Sequence, residues 1–341
     1  MSNFDVEARR QRRRNLLIVE GNHEKNELFG LIFQCFPEIS IDMNDVWIYG
    51  TNIYMLYDDI AKEYGSDWTD VDVDLPFVVS KKNDLDPICY KEDFVNIILI
   101  FDYERHDTNF SEDKIVEMQN YFKDPTDSGK LYINYPMIES YQHLKELPDP
   151  MYAERKIPVT LQPGKKYKGL VREETVVGKF IEFPKKVEEL LKNHFGISEE
   201  ALWMQCFKEI LDISSTDSLE EKTEAILQGK IEESKLETAK YHFKALISKM
   251  GYVQQGKSYW MYMREMFQKI IIYNICKANR IQKDKYQLRK MEYKESFEVL
   301  DFTEILRRQN ISSRDLVNGY IWVLSTCVFF VAEYNFSLVA E

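Results

Sequence analysis

Two apolar runs that do not alternate constrain this chain more than any other feature. Asn96-Ile97-Ile98-Leu99-Ile100-Phe101 runs straight into Asp102, and Leu16-Leu17-Ile18-Val19 runs into Glu20-Gly21. A strand with one wet face alternates apolar and polar residues, whereas a strand covered on both faces does not. Each run therefore reads as an interior strand of a parallel sheet. Gly21 permits a sharp turn, Asn22 is placed to cap a helix, and Leu28, Phe29, Leu31, Ile32 and Phe33 form the apolar face of a helix ending near Pro37. Val46–Gly50 reads as a second strand and Asn52–Tyr64 as a helix. Pro76–Ser80 reads as a further strand, or a loop in an acidic stretch. Ser111 caps a helix through Phe122, and Leu131–Tyr135 is one more strand. Such alternation predicts an α/β domain with a mostly parallel sheet flanked by helices.

At 341 residues the chain is long for a single core. The pattern predicts a basic arm over 1–14, with Arg9, Arg10, Arg12, Arg13 and Arg14, which is a solvated arm or a phosphate-binding one. The α/β domain then covers 15–147. A stretch rich in Pro, Gly and Lys reads as a linker or loop over 148–180, and helical periodicity makes 181–341 a mainly helical domain. The five scattered cysteines form no C-x-x-C pair, which fits reduced thiols and excludes a zinc ribbon. The N-terminus shows no apolar signal region, so a cytoplasmic location is expected. Tyr320–Ala332 is the most apolar stretch. It is shorter than the ~20 residues a membrane helix needs, so it reads as a buried helix or strand, with no membrane partner.

The acids carry the functional signal. In an open α/β sheet, ligands bind beyond the carboxyl ends of the strands. Glu20 and Asp102 each tip a buried strand, so neighbouring strands would bring them to one edge. Glu104 lies two residues beyond Asp102, on the same side of an extended backbone. Glu24 falls in the first turn after Glu20, and Glu139 follows another strand end. Hard oxygen donors of this kind suit Mg²⁺ or Mn²⁺. His23, His106 and His143 lie close by in sequence. Taken singly, Glu24 reads as a helix-dipole partner and Asp107 as a turn residue.

A net charge of −12 argues against an overall basic surface but leaves room for local basic patches. Lys165, Lys166 and Lys168 surround Tyr167. Lys277, Arg280, Lys283, Lys285, Arg289 and Lys290 fall within a short helical span. Either set could track a phosphate backbone, or be a solvated face. No Walker A loop, dinucleotide glycine motif, His-Glu-x-x-His or nucleophile elbow is present, which turns the reading away from ATPases, dehydrogenases, zinc proteases and α/β-hydrolases.

Leu17-Ile18-Val19-Glu20-Gly21-Asn22-His23-Glu24 resembles the opening motif of TOPRIM domains, and Ile100-Phe101-Asp102-Tyr103-Glu104 resembles their later Asp-x-Asp strand. Asn134-Tyr135-Pro136-Met137-Ile138-Glu139 is similar to a segment that follows the last strand in several of them. The form is that of OLD nucleases, of RloB- and AbiL-type bacterial defence proteins, and of the TOPRIM effector of the PARIS anti-phage system. The resemblance covers roughly Asn15–Tyr141. It implies a Mg²⁺- or Mn²⁺-dependent endonuclease acting on DNA or RNA, tRNA included, as the toxic effector of an abortive anti-phage response. Glu20, Glu24, Asp102 and Glu104 would be catalytic, with Glu20, Asp102, Glu104 and Glu139 on the metal. Lys165, Lys166, Lys168, Lys285 and Arg289 would meet nucleic acid. The resemblance also implies an ATPase partner that holds or triggers the protein, and a homo-oligomer. The chain departs from the family in having Glu104 where Asp is usual. An inert TOPRIM-like module that binds or regulates is the competing reading.

Overall fold

The computed structural model describes residues 14–161, 164–217, 219–283, 289 and 292–340. Lys285, Lys290 and the basic arm before Arg14 lie outside the described residues.

The chain divides into two compact units. One contains the segments up to His143, Pro148–Glu173, and the chain from Lys269 onward. Its centre is a five-stranded sheet in the order β2-β1-β3-β5-β4. The strands are β1 (Arg14–Val19), β2 (Val46–Ile48), β3 (Phe94–Asp102), β4 (Lys123–Asp124) and β5 (Gly129–Asn134). β2, β1, β3 and β5 run parallel, and only the short edge strand β4 is antiparallel. The unalternating runs became the two central strands. Leu16–Val19 and Leu99–Phe101 are wholly buried because helices cover the sheet.

Local chemistry starts the covering helices. The Asn52 side chain accepts the Met55 N–H to begin Ile53–Tyr64, and Ser111 accepts the Lys114 N–H to begin Glu112–Tyr121. Two expectations need correcting. Pro76–Ser80 is part of a helix, Leu75–Lys82, because Asp74 caps it through the Phe77 N–H and proline sits in its first turn. Asn22 makes no side-chain cap on the helical turn His23–Phe29.

The division also differs from the boundaries expected at 147 and 180. The stretch read as a linker holds a strand, β6 (Lys156–Pro158), and a helix, Lys165–Glu174. Tyr152, Ile157, Val159, Tyr167 and Val171 are buried there, so the described part of the stretch is packed and not an exposed linker. The apolar tail supplies both a strand, β7 (Tyr320–Trp322), paired antiparallel with β6, and a helix, Phe329–Tyr334. Leu324 bridges to Tyr135 just beyond β5, which ties the chain end to the main sheet. No described helix is long and apolar enough to cross a membrane.

The other unit, Leu144–Leu147 with Glu174–Gln268, is helical. The Thr175 hydroxyl caps Val177–Glu189 by accepting the Val177 and Gly178 N–H groups, both at 3.1 Å. Phe183 packs against Tyr252 and Tyr259 at ring separations of 5.7 and 5.2 Å, with Val187, Phe243 and Ile247 also buried. Helices Glu200–Leu211, Leu219–Leu227 and Leu236–Ser248 complete the unit.

Candidate functional site

The order of the strands decides the site. β1 and β3 are parallel neighbours with Val19 opposite Ile100, so their carboxyl ends lie side by side. Glu20 follows directly, and its Oε2 accepts the backbone N–H of Asp102 at 3.3 Å. On the other side of β3, Asp102 pairs with Asn134, whose amide donates to Asp102 Oδ1 at 3.4 Å. Asn134 also accepts the Cys327 N–H, which anchors that amide from the C-terminal segment. The side chain of Asp102 is thus buried at the tip of the central strand.

Glu24 folds back to accept the Gly21 N–H at 2.9 Å, doing for this turn what Asn22 does not. A Cβ at position 21 would come within 3.3 Å of Glu24 Oε2, so the glycine supplies room rather than an unusual φ. Glu139, buried on the short 3-10 helix Ile138–Gln142 after β5, joins from a third direction. Its Oε1 lies 2.8 Å from Lys168 Nζ and 3.6 Å from His23 Nε2. Its Oε2 is buried with no hydrogen-bond partner, as is His23 Nε2.

Glu104 is held differently. Its φ is +42°, a left-handed conformation that a residue with a Cβ adopts only at a cost. The turn is closed by the Asp107 N–H donating to Glu104 O, and Asn52 Nδ2 donates to Asp107 Oδ2 at 2.9 Å. Strain of this sort is retained where surrounding contacts over-determine it, and such positions cluster at functional sites. Glycine relieves it and alanine does not. The Glu104→Gly protein is therefore expected to melt above Glu104→Ala by the equivalent of about 1 kcal/mol, roughly 2–4 °C. Equal melting temperatures would mean the strain is not there.

The acids repel one another in a poorly hydrated pocket. Burial, then the charges of Glu104 and Glu24, push the Glu20 carboxyl up to about 9. Burial, then Glu20, Glu24 and Glu139, hold Asp102 well above the usual carboxylate range. Glu24 is raised chiefly by burial, and Glu104 by burial and then Asp107. Lys168 is raised despite burial, because Glu139 bonds to it. Between the ordinary carboxyl value of 4.5 and about 9, folded Glu20 keeps a proton that the unfolded chain has released. Folding then takes up a proton, so this contribution is complete below 4.5 and is lost as pH rises toward 9. In chelator, thermal melts at pH 5, 7 and 9 are expected to fall by the equivalent of on the order of 1 kcal/mol or more. Glu20→Gln should lessen that slope, leaving the part due to Asp102, Glu24 and Glu104; an equally steep slope in the variant would exclude Glu20 as a titrating group.

The structure thus gathers Glu20, Glu24, Asp102 and Glu139 around one strand edge, with Glu104 close enough to act on Glu20. Among the described residues, no group of three or more His, Cys, Asp or Glu side chains is already arranged to hold a metal ion. The match to a divalent cation lies instead in the donor chemistry, all carboxylate oxygen, in the orphaned Glu139 Oε2, and in repulsion that a cation would relieve. His106 and His143 stand aside: His106 Nε2 contacts Val159 O, and His143 Nδ1 meets Tyr167 OH.

The basic residues separate. Lys165 and Lys166 are exposed, whereas half-buried Lys168 turns onto Glu139. Arg289 is exposed. The expected basic face on Tyr259–Lys283 is not intact: Lys277 is wholly buried and donates to Tyr152 O and Arg155 O, and Arg280 pairs with Glu154 at 3.0 Å. Two positioning side chains escaped the sequence reading as parts of the site, Asn52 and Asn134. The first was visible only as the start of the helix Asn52–Tyr64, and the second only as the start of the segment that runs to Glu139. The chain matches no family model, no curated protein and no solved structure.

Proposed function

We propose that this chain is a TOPRIM-type, divalent-metal-dependent nuclease that hydrolyses phosphodiester bonds of DNA or RNA. The observation that carries the reading is the Glu20 carboxylate resting on the Asp102 backbone, which brings two acid-tipped parallel strands to a common edge. Mg²⁺ or Mn²⁺ would be held by Glu20, Asp102, Glu104 and Glu139, with Glu24 completing the acidic wall. Bound there, such an ion supplies an activated water and stabilises charge on the leaving oxygen. Glu20 and Asp102 act as oxygen donors from rigid strand ends, and Asn134 keeps Asp102 oriented. Lys168 brings a positive charge beside Glu139, suited to a phosphate oxygen at the same edge. Exposed Lys165 and Lys166 extend that charge outward along the same helix.

The resemblance to defence nucleases adds the biological setting: a toxic cytoplasmic effector of an anti-phage system, working as a homo-oligomer with an ATPase partner. The test is direct. Purified protein incubated with plasmid DNA, total RNA and tRNA in Mg²⁺ or Mn²⁺ is expected to cut at least one of them, and chelator should stop it. Glu20→Ala is expected to lose roughly a thousandfold, since metal-ion catalysis contributes several kcal/mol. Cleavage by Glu20→Ala at the unaltered rate would remove these roles.

Two observations favour a second reading, an inert binding or regulatory module. Lys168 already neutralises Glu139, and Glu104 stands where the family has Asp. Calorimetry showing no Mn²⁺ binding, with a stable complex to another protein, would select it.

A further inference from the structure

The helical unit carries a cleft of about 470 Å³ between the helical segment ending near His194 and the helix Leu236–Ser248. Its rim includes Lys186, Lys249, His194, His242, Asn193 and Glu189, over an aliphatic floor. We propose that this cleft is a binding site for a phosphate oxyanion. The inference does not rest on the acidic site of the other unit.

The charge pattern around the cleft is selective. The neighbouring lysines are engaged: Lys192 holds Glu188 at 2.6 Å, Lys240 holds Glu224 at 2.9 Å, and Lys244 holds Glu220 at 2.6 Å. Lys186 and Lys249 are exposed and, among the described residues, pair with no carboxylate. Two unpaired cations facing one cleft are notable in a chain of net charge −12. His194 and His242 meet there at a ring separation of 5.1 Å, and each imidazole carries an N–H donor in either charge state. Lysine ammonium groups with N–H donors around them form the usual setting for phosphate oxygens.

The opposing group is Glu189, the one carboxylate among the lining residues. It makes the alternatives separable. Were the histidine pair a metal site, Glu189 would be its natural third ligand and the two lysines would repel the ion. For an anion, Glu189 is the repulsive member and the lysines attract. The volume admits more than a bare phosphate and suits a nucleotide-sized group. The phosphate could belong to a free small molecule or to a nucleic-acid backbone.

The test uses the full chain in chelator at low salt, with two probes. Sodium pyrophosphate is titrated by calorimetry, and a fluorescein-labelled single-stranded oligonucleotide is followed by anisotropy. The double variant K186A/K249A is expected to weaken binding about tenfold or more, and for the oligonucleotide to reduce the salt dependence by one to two charges' worth, roughly. Glu189→Gln is expected to tighten binding about two- to fivefold. A lysine effect on pyrophosphate alone identifies a small phosphate ligand, and one on the oligonucleotide identifies the backbone. All three side chains are exposed, so the variants should fold as the parent does. Three results would overturn the proposal: the parent binding neither probe, the double variant binding both unchanged, or Glu189→Gln binding more weakly.

Discussion

The Asp102→Asn protein is expected to be more heat-stable than its parent in chelator and, on the proposed nuclease function, to be strongly impaired in cutting nucleic acid. Asp102 is buried at the tip of the central strand, where burial and the charges of Glu20, Glu24 and Glu139 all oppose its ionisation. An amide has the same shape and can still accept from Asn134. It is neutral without a proton, so folding at neutral pH no longer has to protonate this buried position. Charge burial without a partner is among the costliest events in a protein interior. The gain is expected to be about 1–2 kcal/mol, a rise of roughly 2–8 °C in melting temperature at neutral pH. On the proposed function, the same substitution removes a metal ligand. Cleavage should fall by about a thousandfold or more, in keeping with metal contributions of several kcal/mol. A variant that melts lower than the parent would show that Asp102 is not under electrostatic stress; one that cuts normally would detach it from catalysis.

The second large effect lies away from the site. Asp149 and Arg155 form a buried, two-bonded ion pair, with Arg155 Nη1 2.5 Å from Asp149 Oδ2 and Nη2 3.3 Å from Oδ1. Arg155 Nη1 also donates to His143 O at 2.8 Å. Beside it, Lys277 is held well below its ordinary value by burial and then by the Arg155 charge. Asp149 is therefore the counter-charge for a cationic region within the fold. Asp149→Ala leaves the guanidinium buried and unpaired, a loss of about 3–5 kcal/mol. At roughly 2–4 °C per kcal/mol, the melting temperature should drop by about 10 °C. Lys277→Met is the contrast. It removes a group already disfavoured as a cation and keeps its volume, so it should cost about 2 kcal/mol for the two lost bonds to carbonyls, less than Asp149→Ala. Equal losses in the two variants would contradict this division of roles.

Both expectations concern groups whose importance is unevenly written in the chain. The strands β1 and β3 were readable because unalternating Leu, Ile and Val is a local pattern with a local cause, burial on two faces. Their acid tips were readable for the same reason. The cap at Ser111 was readable because a side-chain oxygen serves N–H groups only a few residues on. Asp74, which turned an expected strand into a helix, obeys the same rule but was hidden within an acidic stretch. The stretch expected to be a linker packs in part because proline, glycine and lysine indicate exposure only on average. Here Tyr152, Ile157 and Tyr167 carry the packing.

Short-range pattern, then, was enough for the existence of the central strands, the α/β character and the acids that end those strands. It could not say that β1 and β3 would be neighbours, that Asn134 would steady Asp102, or that Lys168 would cross to Glu139. Nor could it show Glu104 in a left-handed turn or Lys277 sealed from water. Periodicity and capping act between residues a few places apart, so they survive in a linear text. Proximity between residues tens of places apart depends on strand order and on how the connecting loops close, and those are set only when the whole core packs at once.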